Sequence, residues 1–289
     1  MKNYIIPTTS AEHLGKRLLR KRGGLEIAFP DLYKSGKRYF PNGEVYTKIS
    51  EVNKLRNKRV IVLHSGMPKP NEGLIELELI LQILKDNQIK PGVFFTYFPY
   101  GMQDKVFEKG ETNVAENLIK KLVNYYKVKK IYIIDAHFEG RNWVKKYPIV
   151  NVSAVPILIE KAKRDFAKNI LFLSPDIGGK RRTGISGMRK KRIDSNRVEF
   201  LSLPKNLKGE VVGIVDDLLE TGGTLLKAFQ QCKKNGAKKI VALVTHGVLP
   251  SGITRIKKRY SKLYLTNTIK QKGSNIDITD LILETISES

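Results

Sequence analysis

The residues best suited to chemistry lie in the stretch 211–224. An apolar run at 211–215 leads into two adjacent carboxylates, Asp216 and Asp217, and a glycine-containing turn then opens a predicted helix at Thr224. Glycines let the backbone turn tightly and aim successive N–H groups inward, and a helix start adds its positive end. The stretch therefore predicts a cradle for a phosphate monoester, with acids beside it that could hold sugar hydroxyls or Mg²⁺.

The alternative interpretation of this stretch is a buried strand that ends in a glycine turn and a helix cap. It is disfavoured because two consecutive carboxylates at a strand end are costly to bury unless something polar binds them. The stretch also resembles the phosphoribosyl-diphosphate motif of the type I phosphoribosyltransferase fold. That resemblance implies that Asp216 and Asp217 contact the ribose, and that its 5-phosphate is held by Glu220, Thr221, Gly222, Gly223 and Thr224.

Six more segments occur in the order of the signature segments of the ribose-phosphate pyrophosphokinase family, so the resemblance covers essentially the whole chain. The first three have no counterpart in simple phosphoribosyltransferases, and they favour synthesis of phosphoribosyl diphosphate over its consumption. The segments are 40–44 (FPNGE), 99–105 (PYGMQDK), 135–137 (DAH), 174–179 (SPDIGG), 190–192 (KKR) and 245–249 (THGVL).

The resemblance implies roles for individual residues of these segments. His137 and Asp176 stand where the family binds Mg²⁺, with Asp135 as a further contributor, and Lys190 and Arg192 stand where it has its catalytic Lys and Arg. His137 alone would carry little weight, because an isolated histidine at a strand end more often pairs with backbone groups than with a ligand. The implied ATP site consists of Asn42, Gly43, Glu44, Met102, Gln103 and Asp104.

The activity that the resemblance implies is that of a ribose-phosphate diphosphokinase, a diphosphotransferase. Such an enzyme moves the diphosphoryl group of MgATP to the C1 hydroxyl of ribose 5-phosphate and gives phosphoribosyl diphosphate and AMP. The implied partners are ATP, ribose 5-phosphate and further copies of the chain, in a homodimer or a larger ring. The alternatives are a noncatalytic paralogue, a base phosphoribosyltransferase and, more remotely, a nucleic-acid-binding protein.

The residues between Asp176 and Asp194 include seven basic side chains and no acid. With Gly184 and Gly187 as flexible points, this run is expected to be mobile and to close on a polyanion. A nucleic-acid-binding loop ranks second, because no aromatic residues are interleaved with the cations and no known nucleic-acid-binding motif accompanies them.

Some positions depart from the family pattern. Position 102 is Met where the family usually has an Arg beside the ATP phosphates, 105 is Lys where Arg is common, and 42 is Asn where Asp is usual. We expect the lost guanidinium contact to weaken ATP binding. Only 13 residues separate Asp176 from Lys190, fewer than the family norm, which predicts that a helix and a strand are reduced here to a loop.

The elements that must position these residues form a repeated β–α pattern. Apolar β-branched runs alternate with helix-period segments, which is typical of parallel sheets, and ligand sites in such sheets lie at the carboxyl ends of strands. The predicted strands are 60–63, 93–98, 131–135, 170–173, 210–216 and 239–245, and the predicted helices are 73–86, 112–126, 154–166 and 224–235.

Together with the resemblance, this pattern predicts an α/β fold of two type I phosphoribosyltransferase-like domains with mainly parallel sheets. The first, 1–150, carries the ATP-site segments, and the second, 151–289, carries the ribose 5-phosphate loop.

Composition restricts the class of protein. With 41% hydrophobic and 28% charged residues, the chain is neither collagen-like nor disordered. Its formal charge of +25 indicates an anionic partner without choosing among nucleic acid, a membrane surface and phosphorylated small molecules. The single cysteine, Cys232, excludes an internal disulfide. The apolar stretch at 4–6 is too short for a signal peptide and no run is long enough to cross a membrane, so we expect a cytoplasmic protein.

Overall fold

A computed structural model describes residues 3–21, 24–166, 170–175, 185, 189–192, 198–202 and 206–288, and for 189–192 and 198–202 it describes the backbone only. The contacts divide the chain into two units. Unit 1 comprises Met1–Val152, Thr268–Lys270 and Thr279–Ser289, and unit 2 comprises Ser153–Asn267 and Gln271–Ile278.

Unit 1 is built on a six-stranded sheet in which all neighbouring strands run parallel. Its strands are β1 (Asn3–Pro7), β2 (Leu25–Ile27), β3 (Arg59–Ser65), β4 (Gly92–Tyr97), β5 (Lys130–Ile134) and β6 (Ile149–Val152), in the spatial order β2-β1-β3-β4-β5-β6. Its helices are α1 (Glu12–Arg20), α2 (Pro70–Asp86), α3 (Val114–Asn124) and, at the carboxyl terminus, α7 (Thr279–Ser287).

The sequence explains the central elements of unit 1. β3 and β4 are buried along almost their whole length, which requires the continuous apolar runs that they have. α3 begins at Asn113, whose side-chain oxygen accepts a 3.0 Å hydrogen bond from the Glu116 N–H while its amide donates to the Glu116 carboxylate. The first of these bonds satisfies a backbone N–H that a helix start would otherwise leave unbonded, and the second holds the Asn113 side chain in place.

Unit 2 contains a four-stranded parallel sheet and a separate antiparallel hairpin. The sheet has the order β12-β11-β10-β7, where β7 is Leu171–Leu173, β10 is Val211–Leu219, β11 is Lys239–Gly247 and β12 is Lys262–Leu265. The hairpin pairs β8 (Arg189–Arg192) with β9 (Val198–Ser202), and the described helices are α4 (Val155–Asp165), α5 (Gly223–Lys234) and α6 (Pro250–Lys257).

The α/β class and the mainly parallel sheets are confirmed. One difference concerns α7, which the sequence division at residue 150 assigns to the second domain. Its contacts lie in unit 1, where Lys21 forms an ion pair with Asp280 and the Arg59 guanidinium donates a 2.7 Å hydrogen bond to the Ile286 carbonyl. The chain thus returns to its first sheet at the carboxyl terminus, which local periodicity does not reveal.

Two further observations bear on the class of protein. Throughout the described residues, no helix has both the length and the apolar character that crossing a bilayer demands. Cys232 is fully buried in α5, and burial raises the pKa of its thiol to about 12, so the thiol is unreactive at neutral pH.

Candidate active site

The two carboxylates of the sequence motif lie inside strand β10 rather than beyond its end. β10 continues to Leu219 because it stays paired with β11, with Asp216 opposite Val244 and Leu219 opposite Gly247. The prediction that the strand ends at Asp216 is therefore wrong by three residues. Asp216 and Asp217 are 6% and 1% exposed, and the Asp217 N–H donates a 3.1 Å hydrogen bond to the Asp216 carboxylate.

The turn after β10 caps the start of α5 with a glycine whose backbone is in the left-handed region. Gly222 has φ +80°, a conformation that side chains rarely adopt, and its carbonyl accepts the first intrahelical bond of α5 from the Leu226 N–H at 3.0 Å. A Cβ at position 222 would stand 3.1 Å from Ile256 Cδ1, a tight contact that adds to the conformational preference for glycine. Thr221 and Thr224 lie exposed on either side of the turn. The turn therefore presents two hydroxyls and a helix start to solvent.

Helix α6 supports this turn from behind. A Cβ on Gly252 would overlap the Glu220 carbonyl oxygen and stand 2.8 Å from the Glu220 carbonyl carbon, so backbone touches backbone there. The Arg255 guanidinium donates a 3.4 Å hydrogen bond to the Thr221 carbonyl. The segment 220–224, which we call the cradle, is thus fixed by contacts that the sequence motif does not contain.

In unit 1 the loop after β4 is held by an ion pair. Both oxygens of Asp104 accept from Arg141, at 2.6 Å to Nε and 3.0 Å to a terminal nitrogen, and the Trp143 indole donates to the Asp104 carbonyl at 3.1 Å. Asp104 is only 4% exposed, whereas Met102 is 46% exposed. Asp104 therefore anchors the loop, and Met102 and Gln103 form its exposed surface.

The loop after β5 meets the loop after β4. Asp135 is buried and has φ +39°, and its N–H donates to the Val152 carbonyl at 2.9 Å. A Cβ on Gly101 would stand 3.8 Å from His137 Cβ, which places the two loops in contact. They come together because β4 and β5 are neighbouring parallel strands.

The remaining segment assigned to the ATP site is a separate turn. Gly43 has φ +90°, the Glu44 N–H donates to the Asn42 side chain at 3.1 Å, and the Phe40 N–H donates to the Glu44 carbonyl at 2.8 Å. The side chains of Asn42 and Glu44 are exposed at its tip. They are free to meet a ligand.

Three of the expected functional residues are not fully described. Asp176 lies outside the described residues, and Lys190 and Arg192 are described only as backbone of β8. Among the residues whose positions are described, no group of three His, Cys, Asp or Glu side chains is arranged to hold a metal ion.

Sequence reasoning missed Arg141, which holds the loop after β4, and it missed Gly252 and Arg255, which hold the cradle. A glycine directly after Pro250-Ser251 at a helix start was a usable signal for a close backbone approach. Neither arginine has such a signal, because each acts through a contact distant in sequence.

A two-unit α/β protein with a glycine-capped cradle in one unit and converging strand-end loops in the other belongs structurally to the phosphoribosyltransferase-like class. A solved phosphoribosylpyrophosphate synthetase from Mycobacterium smegmatis shares this fold, with a TM-score of 0.81 and 22% identity over 99% of this chain and 98% of that one.

Sequence comparisons identify the family. The family model described as the N-terminal domain of ribose phosphate pyrophosphokinase matches residues 9–126, and that of the phosphoribosyl synthetase-associated domain matches 193–288. A ribose-phosphate pyrophosphokinase from Pyrococcus abyssi (strain GE5 / Orsay) is 30% identical over 98% of both chains. Another from Pyrococcus furiosus (strain ATCC 43587 / DSM 3638 / JCM 8422 / Vc1) is 32% identical over 84% of this chain and 89% of its own. The chain belongs to the ribose-phosphate pyrophosphokinase family.

Proposed function

We propose that the chain transfers the β,γ-diphosphoryl group of MgATP to the C1 hydroxyl of ribose 5-phosphate, giving phosphoribosyl diphosphate and AMP. The observation that carries the proposal is the presence of two parallel-sheet units in one chain, each with polar loops at strand ends. The cradle offers a phosphate site. The loops at 100–104 and 135–138 offer a second polar site, for which a base phosphoribosyltransferase has no use.

In this proposal the cradle and the acids before it bind ribose 5-phosphate. Asp216 and Asp217, both buried at the end of the apolar run before the cradle, bind ribose hydroxyls. The N–H groups at the start of α5 and the hydroxyls of Thr221 and Thr224 bind the 5-phosphate. Because α6 backs the cradle, the sugar is held in one orientation and its C1 hydroxyl in one place.

The nucleotide is assigned to unit 1. Asn42, Gly43 and Glu44 and the exposed residues Met102 and Gln103 bind ATP, and Asp104 holds their loop through Arg141.

Asp135, His137 and Asp176 are the residues that would hold Mg²⁺. The carboxylates of Asp135 and Asp176 fit, because Mg²⁺ is commonly bound through one or two carboxylates plus substrate phosphates rather than by an all-protein cage. When bound, Mg²⁺ neutralises charge on the ATP phosphates. The supporting observation in the described residues is that the loop carrying His137 contacts the loop of Met102 and Gln103, because a Cβ on Gly101 would stand 3.8 Å from His137 Cβ.

The reaction needs no covalent enzyme intermediate. The C1 oxygen forms a bond to the β-phosphorus, the bond from that phosphorus to the oxygen bridging to the α-phosphorus breaks, AMP leaves with the electron pair, and the hydroxyl proton passes to solvent. Lys190 and Arg192 neutralise charge that develops on the transferred oxygens. Alignment of the C1 hydroxyl with the β-phosphorus supplies the rest of the rate enhancement.

A second candidate is a noncatalytic paralogue, which the exposed Met102 and the 13 residues between Asp176 and Lys190 favour. The test is the initial rate of AMP formation from MgATP with and without ribose 5-phosphate, in the parent and in Asp216→Asn. We expect AMP only when ribose 5-phosphate is present, and at least tenfold less in the variant. Calorimetric binding of both substrates without any AMP would instead identify the noncatalytic paralogue.

We propose further that the protein works in the cytoplasm as a homo-oligomer, a dimer or larger. This rests on the family resemblance, and light scattering during size-exclusion chromatography tests the oligomeric part. A monomer at micromolar concentration would contradict it.

A further inference from the structure

Unit 2 contains a cavity that the proposed reaction does not use. It lies between α5 and the end of α6 and has a volume of about 370 Å³, which is within the range of small-molecule sites. Its lining consists of Leu226, Phe229 and Gln230 from α5 together with Arg255, Lys258 and Arg259.

The lining carries three cations and no acid. In the described part of the chain, Lys258 and Arg259 have no carboxylate partner, and Arg255 bonds only to the Thr221 carbonyl. Two other cations of this unit do have a carboxylate partner, since Lys161 and Lys262 both contact Asp165, at 2.9 and 2.5 Å. The cavity therefore has an uncompensated positive charge, which an anionic ligand would neutralise.

The α5 wall is apolar. Leu226 and Phe229 are only partly buried, and the Phe229 ring lies 5.0 Å from the Tyr260 ring at 53°. A planar hydrocarbon group would cover this exposed apolar area while an attached anion reached the cations.

A helix-end effect explains only part of this arrangement of cations. Cations often sit at helix ends to offset the last carbonyls. Here the N–H groups of Lys258 and Arg259 already donate to the carbonyls of Thr254 and Ile256, at 3.2 and 3.0 Å. A helix-end effect also does not explain why the cations face a second helix across a concave surface.

The same helix end touches the cradle. Arg255 lines the cavity and bonds to the Thr221 carbonyl, and Gly252 and Ile256, on the same helix, pack against Glu220 and Gly222. A ligand that binds the Arg255 guanidinium would compete with or reorient the hydrogen bond that Arg255 makes to the cradle. Helix α6 therefore offers a direct physical connection between the cavity and residues 220–224.

We propose that this cavity binds a small aromatic phosphate monoester, and that its occupancy alters the affinity of the cradle for ribose 5-phosphate. The second part rests on the proposed function, and the first does not.

The first experiment tests the site with 1-naphthyl phosphate as the probe, and the fluorescence of the probe reports its binding. Ribose 5-phosphate is present at saturating concentration so that the cradle is blocked. The parent is expected to bind the probe saturably. The double variant Lys258→Glu/Arg259→Glu is expected to bind it at least tenfold more weakly. The control Lys233→Glu/Lys234→Glu, which makes the same charge change on exposed residues of α5 outside the cavity, is expected to bind it within twofold of the parent. No saturable binding, or equal weakening in both variants, overturns the site.

The second experiment tests the linkage by calorimetry of ribose 5-phosphate binding with and without the probe. We expect at least a twofold change in the dissociation constant in the parent and none in Lys258→Glu/Arg259→Glu. An unchanged dissociation constant for ribose 5-phosphate in the parent overturns the linkage but does not affect the proposal that the cavity binds the probe. If ribose 5-phosphate does not bind at all, the proposed function and the linkage fail together, and the first experiment still decides the site.

Discussion

Gly252 offers a sharp test of how the cradle is held. In a helix, replacing Gly by Ala is ordinarily stabilising by about 1 kcal/mol, because glycine loses more backbone freedom on folding. At this position the added Cβ would stand 2.8 Å from the Glu220 carbonyl carbon and 3.2 Å from that of Thr221, whereas ordinary contacts begin at 3.4 Å. Clearing the carbonyl carbon alone needs 3.4 minus 2.8, or 0.6 Å, and the Cβ would also overlap the Glu220 carbonyl oxygen, so the backbone of the cradle or of α6 must move by more than 0.6 Å.

The expected consequence is a functional loss larger than the loss of stability. Overpacking typically costs about 1–3 kcal/mol, which the helix-propensity gain partly offsets. A displacement approaching 1 Å in a substrate-positioning loop can reduce the rate about 100-fold. We expect Gly252→Ala to lower kcat/KM for ribose 5-phosphate by roughly 10- to 100-fold, with the melting temperature slightly reduced.

The assay is initial-rate kinetics with each substrate varied in turn, beside thermal unfolding. Ser251→Ala is the matched control, because it changes an exposed neighbour on the same helix. It should leave both measurements close to those of the parent. A Gly252→Ala protein with a raised melting temperature and unchanged kinetics would refute the contact between α6 and the cradle.

Three other predictions concern separate parts of the molecule. Lys190→Ala should lower kcat far more than it weakens ribose 5-phosphate binding, and an unchanged kcat would remove Lys190 from the mechanism. Met102→Arg should lower the KM for ATP by restoring a charge-assisted contact of about 1.5–3 kcal/mol, and calorimetry showing no tighter binding would contradict this. Full burial lowers the pKa of His64 to about 3, so below about pH 6.5 the unfolded chain binds more protons and stability falls as the pH drops. Urea unfolding at pH 6.5 and 5.0 should show this group contributing a loss of up to ~2 kcal/mol, and a parent and His64→Gln with the same pH dependence would contradict the assignment.

The cradle was predictable because its signals are local. A strand-like run, two carboxylates and a Gly-Gly turn before a helix period all fall within 211–224, and the structure shows Gly222 in the left-handed cap that such a turn needs. The strand end was misjudged because pairing, not composition, sets it. β10 extends through Leu219 since β11 offers partners up to Gly247.

Other features depend on contacts between distant segments, which local patterns do not report. The sequence groups Asp104 with the ATP-site residues. In the structure both carboxylate oxygens of Asp104 instead accept hydrogen bonds from Arg141, which lies 37 residues away. Several observed elements have no counterpart among the predicted ones: β1, β2, β6, β8, β9, β12, α1, α6 and α7. α7 stands apart in sequence from the unit it joins, and β2 has only three residues.

The most direct test of the proposed function is ³¹P NMR of the parent protein incubated with ATP, Mg²⁺ and ribose 5-phosphate. Transfer of an intact diphosphoryl group predicts that the resonance of AMP and the coupled pair of resonances of a sugar diphosphate rise together in equal amounts. ADP with inorganic phosphate, or AMP with free pyrophosphate and unchanged ribose 5-phosphate, would contradict it.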